Sequence, residues 1–122
     1  MVVVADRVEV LKLISVYLQA QPGGRESCQM LVGDSASESD RARVLAAMEG
    51  AGRGRVLLLS LRLAVGLNLQ GGVSHMVMLA PEWNPSTDVQ ALGRLARPGQ
   101  LKETFHYRLG VAGAMHGVCP CY

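Results

Sequence analysis

The feature that most constrains the fold is a short run of four apolar residues and a serine, VLLLS, at residues 56–60. A strand whose side chains are apolar on both sides is typical of a parallel sheet covered by helices on both faces. A second run of this kind, VVVA, stands at residues 2–5. Neither run approaches the roughly 20 residues that a membrane span needs. Both therefore predict an α/β fold built around buried strands.

Strand and helix signals alternate along the rest of the chain. Further strands are predicted at residues 28–32, 76–79 and 104–109. Residues 110–122 show no periodicity and are expected to form an unstructured tail. The alternation predicts one domain over residues 1–109, a three-layer sandwich with a mainly parallel sheet and right-handed crossovers.

Helices are predicted from apolar spacing and from capping residues. Apolar residues recur at helical spacing from Val8 to a stop at Pro22. Ser35 and Glu38 form a capping-box pattern that opens a helix through Met48. A third helix is predicted from a cap at residue 87 or 88 to about residue 97, where a Pro-Gly pair ends it.

Composition places the chain among globular proteins. Of its 122 residues, 49% are apolar and 18% are charged, which suits one domain with a real core. The net charge of +2 does not by itself indicate a nucleic-acid partner, and aromatic residues at 4% disfavour base stacking as the main binding mode. Three cysteines do not form a disulfide framework, so the chain is expected to be intracellular and reduced.

Residues 83–100, WNPSTDVQALGRLARPGQ, carry the clearest functional signal. They place Arg94 and Arg97 three residues apart near the end of a predicted helix, so that both guanidiniums share one face. Arginine is always charged and forks toward phosphate oxygens, which suits it to steadying a transferring phosphoryl group. The alternative is a solvated basic helix end, favoured by the macrodipole.

Parallel α/β sheets bind ligands at the carboxyl ends of their strands. Ser60, the segment at Gly66, the turn at Trp83 and the helix with Arg94 all follow predicted strands. We therefore expect these segments to converge at one edge of the sheet.

The order of segments resembles the second RecA-like lobe of the Swi/Snf-related helicase-like ATPases, closest to the transcription termination factor and lodestar branch. Five elements carry the resemblance in order, and these are residues 2–18 (motif IV), Gly33-Asp34-Ser35 with Arg41, residues 59–69 (motif V), Trp83-Asn84-Pro85, and Gln90 to Gln100 (motif VI). The resemblance covers residues 1–109 and implies a RecA-like fold.

The resemblance implies a lobe that closes on ATP and Mg²⁺ held mainly by a first lobe. Arg97 would be the arginine finger and Arg94 its support, a contribution on the order of 10³-fold or more. Nucleotide-binding roles are implied for Gly66, Asn68 and Gln90. Contacts with the backbone of double-stranded DNA are implied for Ser35, Ser60 and Arg62, which would make them without reading bases. The resemblance also implies a nuclear location.

The sequence departs from the family pattern in motif V, and the phosphate loop and the Asp-Glu pair of a nucleotide site do not occur in it. After Arg62, Leu63-Ala64-Val65-Gly66 is one residue shorter than the family pattern and lacks its paired glycines. No Gly-x-x-x-x-Gly-Lys-Ser/Thr loop and no Asp-Glu pair occurs in the printed sequence. The chain alone is therefore not expected to hydrolyse ATP, and a first lobe is expected in cis, if the chain is a fragment, or in trans.

Two function hypotheses follow, with a third, unstable-product possibility. The first is a motor lobe that completes the nucleotide site of a larger ATPase. The second is a non-catalytic, degenerate lobe that binds DNA or a protein. No metal site is predicted, because His116, Cys119 and Cys121 lack a fourth ligand.

Overall fold

A computed structural model of the chain describes residues 1–33, 37–49, 55–69, 72–79 and 84–110. Within these ranges the strands are β1 (Val2–Ala5), β2 (Cys28–Leu31), β3 (Val56–Ser60), β4 (His75–Leu79) and β5 (Phe105–Leu109). The helices are α1 (Val8–Gln19), α2 (Gly24–Ser27), α3 (Glu38–Glu49), α4 (Leu61–Gly66) and α5 (Pro85–Leu92).

The five strands form one sheet in the order β2-β3-β1-β4-β5, and every neighbouring pair is parallel. β1 lies at the centre, where Ala5 stands beside Ser60 of β3 and Leu79 of β4. All four residues of β1 are buried, as are four of the five in β3. The predicted parallel sheet with fully buried central strands is confirmed, because apolar side chains on both sides of a strand require cover on both faces.

Helices cover the sheet on both faces and bury two separate cores. On one face, α1 packs Leu11 against Val3 and Leu58. On the other face, α3, α4 and α5 bury a larger cluster that includes Met48 and Leu95. The result is the predicted three-layer sandwich, in which consecutive residues of the central strands point to opposite layers.

Two short helices were not predicted from the sequence. α2 and α4 have only four and six residues, too few to establish an apolar period. α4 nevertheless buries Leu61, Leu63 and Ala64. It follows β3 directly, so the motif V segment after Ser60 is helical.

The predicted capping box of α3 is wrong by two residues. α3 begins at Glu38, and the Ser37 carbonyl accepts the amide of Arg41 at 3.0 Å. The Ser37 hydroxyl oxygen accepts the amide of Asp40 at 3.1 Å. Ser37 therefore caps the helix, because the residue just before the first helical position holds the free amides of the first turn. Ser35 lies outside the described residues.

The edge of the sheet formed by β5 is exposed. All five residues of β5 are exposed, and Phe105 stacks on His75 of β4 with ring centroids 4.8 Å apart. The predicted tail falls almost entirely outside the described residues, as does Trp83 of the predicted turn before α5. No helix in the described part of the chain is long and apolar enough to cross a membrane.

Candidate functional site

An open cavity of about 450 Å³ lies at the carboxyl ends of β1, β2 and β3. The register places Ala5 and Ser60 side by side where β1 and β3 end. Side chains and backbone from the segments that follow the three strands enclose the space, and the lining residues are Asp6, Arg7, Val8, Glu9, Gly33, Ser60 and Arg62. The topology thus brings together segments distant in the sequence.

Ser60 and the start of α1 supply hydrogen-bond donors to this cavity. Ser60 is only 6% exposed, and its side chain makes no cap bond to α4. α1 begins after Arg7 without a side-chain cap, so the free amides of its first turn remain available at the cavity. Such amides, at the positive end of a 12-residue helix, attract anions.

The charges that line the cavity are mixed. Arg7 and Arg62 are exposed and can turn toward an anion, whereas Asp6 and Glu9 oppose one. Gly33 has a positive φ of 87°, a conformation that glycine adopts without strain. The cavity therefore suits a phosphate that is contacted at several points and remains partly in water.

The sequence prediction covered only part of this cavity. Ser60 and Arg62 were predicted to contact DNA, and the structure places both here. Ser35, the third predicted DNA contact, lies outside the described residues. Arg7 was missed, although its position between a buried strand and a helix was a usable signal.

The helix that was predicted to carry Arg97, the predicted arginine finger, and Arg94, its support, starts and ends earlier than predicted. Asn84 caps α5, since its side-chain oxygen accepts the Ser86 amide at 3.1 Å, and Pro85 takes the first helical position. The prediction of Thr87 or Asp88 as the cap is wrong. Asp88 lies on the buried face of α5 and is 1% exposed. A proline directly after an asparagine was the better start signal.

Arg94 and Arg97 lie beyond α5, which ends at Leu92, and not on the helix as predicted. They belong to a series of tight turns at residues 93–97, which we call the arginine turn. Leu95 between them is 2% exposed and anchors the turn in the core. The Nε of Arg97 donates to the Gly93 carbonyl at 3.2 Å, which fixes the stem of that side chain.

The backbone of Arg94 joins the turn to the motif V segment. Its carbonyl accepts the amide of Leu69 at 3.2 Å. Asn68, beside Leu69, is exposed, and Gln90 is exposed on α5. Gly66, at the end of α4, faces open space, so a side chain would fit there. The bond between Leu69 and Arg94 thus brings the backbone next to Asn68 beside the arginine turn, and the nucleotide-binding roles of Gly66, Asn68 and Gln90 stay predictions.

The expected convergence of all these segments at the carboxyl edge is wrong. α5 runs back along the sheet, so the arginine turn lies toward the amino end of β4. Gln100, just after the turn, binds the carbonyl of Val73, and the amide of Phe105 donates to Ser74, both before β4 begins. The structure therefore has two separate regions, the carboxyl-edge cavity and the arginine turn.

A charged cluster joins α5 to the sheet edge. Arg108 of β5 pairs with the buried Asp88 at 3.7 Å. On the same strand, burial lowers the pKa of His106 below its ordinary value, Arg108 lowers it further, and Asp88 opposes the change. This cluster holds the start of α5 against β5.

No cluster of metal-ligating side chains occurs among the residues that the structure describes. The tail residues considered as ligands, His116, Cys119 and Cys121, lie outside them. Burial raises the pKa of the one described cysteine thiol, Cys28, and a hydrogen bond with Ser15 opposes the change. Its thiol is thus held in the protonated, less reactive form.

These features define a lobe with a parallel sheet that is covered by helices on both faces. A family model described as the helicase conserved C-terminal domain matches residues 1–99. The chain belongs to this family.

Two curated proteins and a solved structure are similar to it. The probable global transactivator of Orgyia pseudotsugata multicapsid polyhedrosis virus is 50% identical over 56 residues, 45% of this chain and 11% of that protein. The DNA repair and recombination protein RAD54B of Mus musculus is 47% identical over 51 residues, 42% of this chain and 6% of that protein. A crystal structure of the C-terminal part of the Fun30 ATPase domain matches with a TM-score of 0.71 and 21% identity, covering 88% of this chain and 33% of that one.

The comparisons confirm the predicted RecA-like fold and the resemblance to the second lobe of the Swi/Snf-related ATPases. The finer placement in the transcription termination factor and lodestar branch has no counterpart among these relatives and stays a prediction. The chain spans a small part of each curated relative's length, 11% and 6%.

Proposed function

We propose that the chain is the second-lobe half of an ATP-dependent DNA translocase, which supplies an arginine finger to a nucleotide held by a first lobe. The observation that carries this proposal is the arginine turn. Its Leu95 is buried, and the Nε of Arg97 is fixed to Gly93. Among the described residues, the Arg94 guanidinium has no hydrogen-bond or ion-pair partner. Two cations on a firmly anchored turn fit the negative charge of a nucleotide phosphate.

In this proposal, ATP bound with Mg²⁺ on a first lobe supplies the reacting phosphoryl group. Arg97 points its free Nη groups at that phosphate, and Arg94 adds a second positive charge. Gln90 and Asn68, both exposed near the turn, offer amide groups to the nucleotide. The chain's own residues thus stabilise charge, while the phosphate cradle and the metal ligands belong to the first lobe.

DNA binding is assigned to the carboxyl-edge cavity. Ser60, Arg62 and the first turn of α1 offer hydroxyl, guanidinium and amide donors, all of which suit phosphate oxygens. Ser35 is a further proposed contact from the segment after Gly33. None of these groups needs to read a base, so the cavity suits movement along duplex DNA of any sequence. The relatives named for DNA repair support a nuclear site of action.

The test is ATP turnover with duplex DNA, measured for the chain alone and mixed with a first lobe from a related motor. Stimulation by the mixture that disappears with Arg97→Ala supports the proposal, provided that the variant melts like the wild type. Full stimulation with Arg97→Ala would contradict it. The exposed Arg25 on α2 provides a matched control, since Arg25→Ala should leave turnover unchanged.

One observation favours a second function, that of a non-catalytic DNA- or protein-binding lobe. Residues Leu61–Gly66 form α4 with three buried side chains, where the family pattern has paired glycines. A nucleotide-facing loop that has become a packed helix loses its close backbone approach to a ligand. Duplex binding that weakens with salt, but ignores nucleotide and a first lobe, would favour this function.

A further inference from the structure

The side chain of Gln100 joins three segments around the arginine turn. Its Nε2 donates to the carbonyl of Val73 at 3.1 Å and to that of Leu95 at 3.4 Å. Its Oε1 accepts the amide of Lys102 at 3.2 Å. One part-buried amide therefore ties the segment before β4, the turn after α5 and the approach to β5 to one another.

The chemistry of these bonds requires an amide. Both hydrogens of the NH₂ group meet carbonyl oxygens, and the oxygen meets an N–H, so every partner has the complementary polarity. A carboxylate would have no hydrogen for Val73 and Leu95. Gly99, with φ of 101°, turns the chain so that Gln100 faces back toward the turn.

The same residue also closes the turn through its backbone. The amide of Gln100 donates to the carbonyl of Arg97 at 3.0 Å. On the other side, the carbonyl of Arg94 accepts the Leu69 amide at 3.2 Å. The arginine turn is thus held from the motif V segment at one end and from Gln100 at the other.

We propose that Gln100 is a positioning residue, whose side-chain amide fixes the arginine turn so that Arg97 meets a phosphate in one geometry. Its consequence for catalysis rests on the proposed function, but the positioning itself does not. We call the three side-chain bonds of Gln100, to Val73, Leu95 and Lys102, the clasp. Because small displacements of a catalytic group cost up to about 10²-fold in rate, loss of the clasp should have a measurable effect. Gln100 acts through Arg97 and is not itself a catalytic residue.

Amide hydrogen exchange tests the positioning without ATP. Gln100→Glu keeps the shape and the acceptor for Lys102, but removes both donor bonds. We expect exchange at the amides of Leu69 and Gln100 to accelerate by about tenfold or more, with no change at the sheet amides of Val3 and Leu58. Equal acceleration at all four amides, or none, would overturn the proposal.

Two further variants distinguish loss of the Gln100 hydrogen bonds from the effect of the added negative charge and from a general effect of a Gln→Glu change. Gln100→Met removes the polar atoms without placing a negative charge beside carbonyl oxygens, and should give the same local pattern. Gln19→Glu is the matched control, because Gln19 Nε2 also donates one side-chain bond, to Ser15 Oγ at 3.0 Å, but lies on α1. Faster exchange at Leu69 in the control would also contradict the clasp.

Turnover in the mixture with a first lobe then tests the consequence. If Arg97→Ala abolishes stimulation, Gln100→Met should lower kcat by about tenfold to 10²-fold, with little change in KM for ATP. An unchanged kcat beside an inactive Arg97→Ala would overturn the catalytic consequence alone. If wild type gives no stimulation, the proposed function fails, while the exchange experiment still decides the clasp.

Discussion

The carboxyl-edge cavity and the arginine turn each present two arginines, but they hold them differently. In the cavity, Arg7 and Arg62 are exposed, and Asp6 and Glu9 stand beside them. In the turn, Arg94 and Arg97 are half-buried around an anchored leucine. Exposed cations beside acids suit a polyanion that is contacted at several points, whereas cations on an anchored turn suit a single phosphate geometry. One lobe thus carries two separate arginine-bearing regions, and the proposed function assigns DNA contact to the cavity and phosphate contact to the turn.

The most direct test of this separation is Arg97→Ala in the two-lobe mixture. We expect ATP turnover to fall on the order of 10³-fold or more, because under the proposed function the variant loses the positive charge that stabilises the transferring phosphoryl group. Duplex binding should persist, since the cavity lies at the other edge of the sheet. A parallel loss of both activities, measured by turnover and by fluorescence anisotropy, would show that the two regions are not separate.

The next largest effect is expected from Asp88→Ala, which removes the buried partner of Arg108. Leaving a buried charge unpaired costs about 3–5 kcal/mol, but the Arg108 side chain is 35% exposed and can reach water. We therefore expect a loss of about 2 kcal/mol in the free energy of unfolding, measured by urea denaturation.

The exposed pair between Arg43 and Asp40 provides the control for that measurement. Its side chains are 80% and 49% exposed, so Arg43→Ala should cost no more than about 0.5 kcal/mol. Equal losses in the two variants would show that burial of Asp88 does not set its contribution.

A smaller effect is expected from Arg62→Ala at the cavity. Removing one phosphate contact should weaken duplex affinity several-fold and reduce the salt slope of log K by about 0.9. The loss should be the same for unrelated DNA sequences, as expected of a backbone contact. A sequence-dependent loss, seen by titrating several duplexes, would contradict the proposed role.

The smallest effect concerns pH and the cluster on β5. Because the pKa of His106 lies below 6.5 in the folded chain, the unfolded chain binds its proton more readily. The contribution of neutral His106 is therefore complete above pH 6.5 and is lost as the pH falls through 6.5 toward the lower folded pKa. His106→Gln should flatten this part of a stability profile measured by thermal melts, and an unchanged slope would exclude His106 as its source.

The apolar strand runs, the alternation of strand and helix signals and the composition predicted the fold well. The apolar runs of β1 and β3 have only one reasonable environment, so their burial followed from the sequence. Helix ends were predicted less well, because Ser35 and Ser37, or Asn84 and Asp88, are all acceptable caps by residue type. Which one acts depends on where the preceding strand and turn deliver the chain.

The α/β class, the buried central strands and the residue types available for phosphate contacts follow from the sequence alone. Local spacing and side-chain polarity suffice for these properties, since each is decided within a few residues. The tertiary structure alone decided that Ser60 and Arg7 share a cavity and that Arg94 lies elsewhere. Strand order and the direction of α5 set these distances, and both arise from packing between segments far apart in the chain.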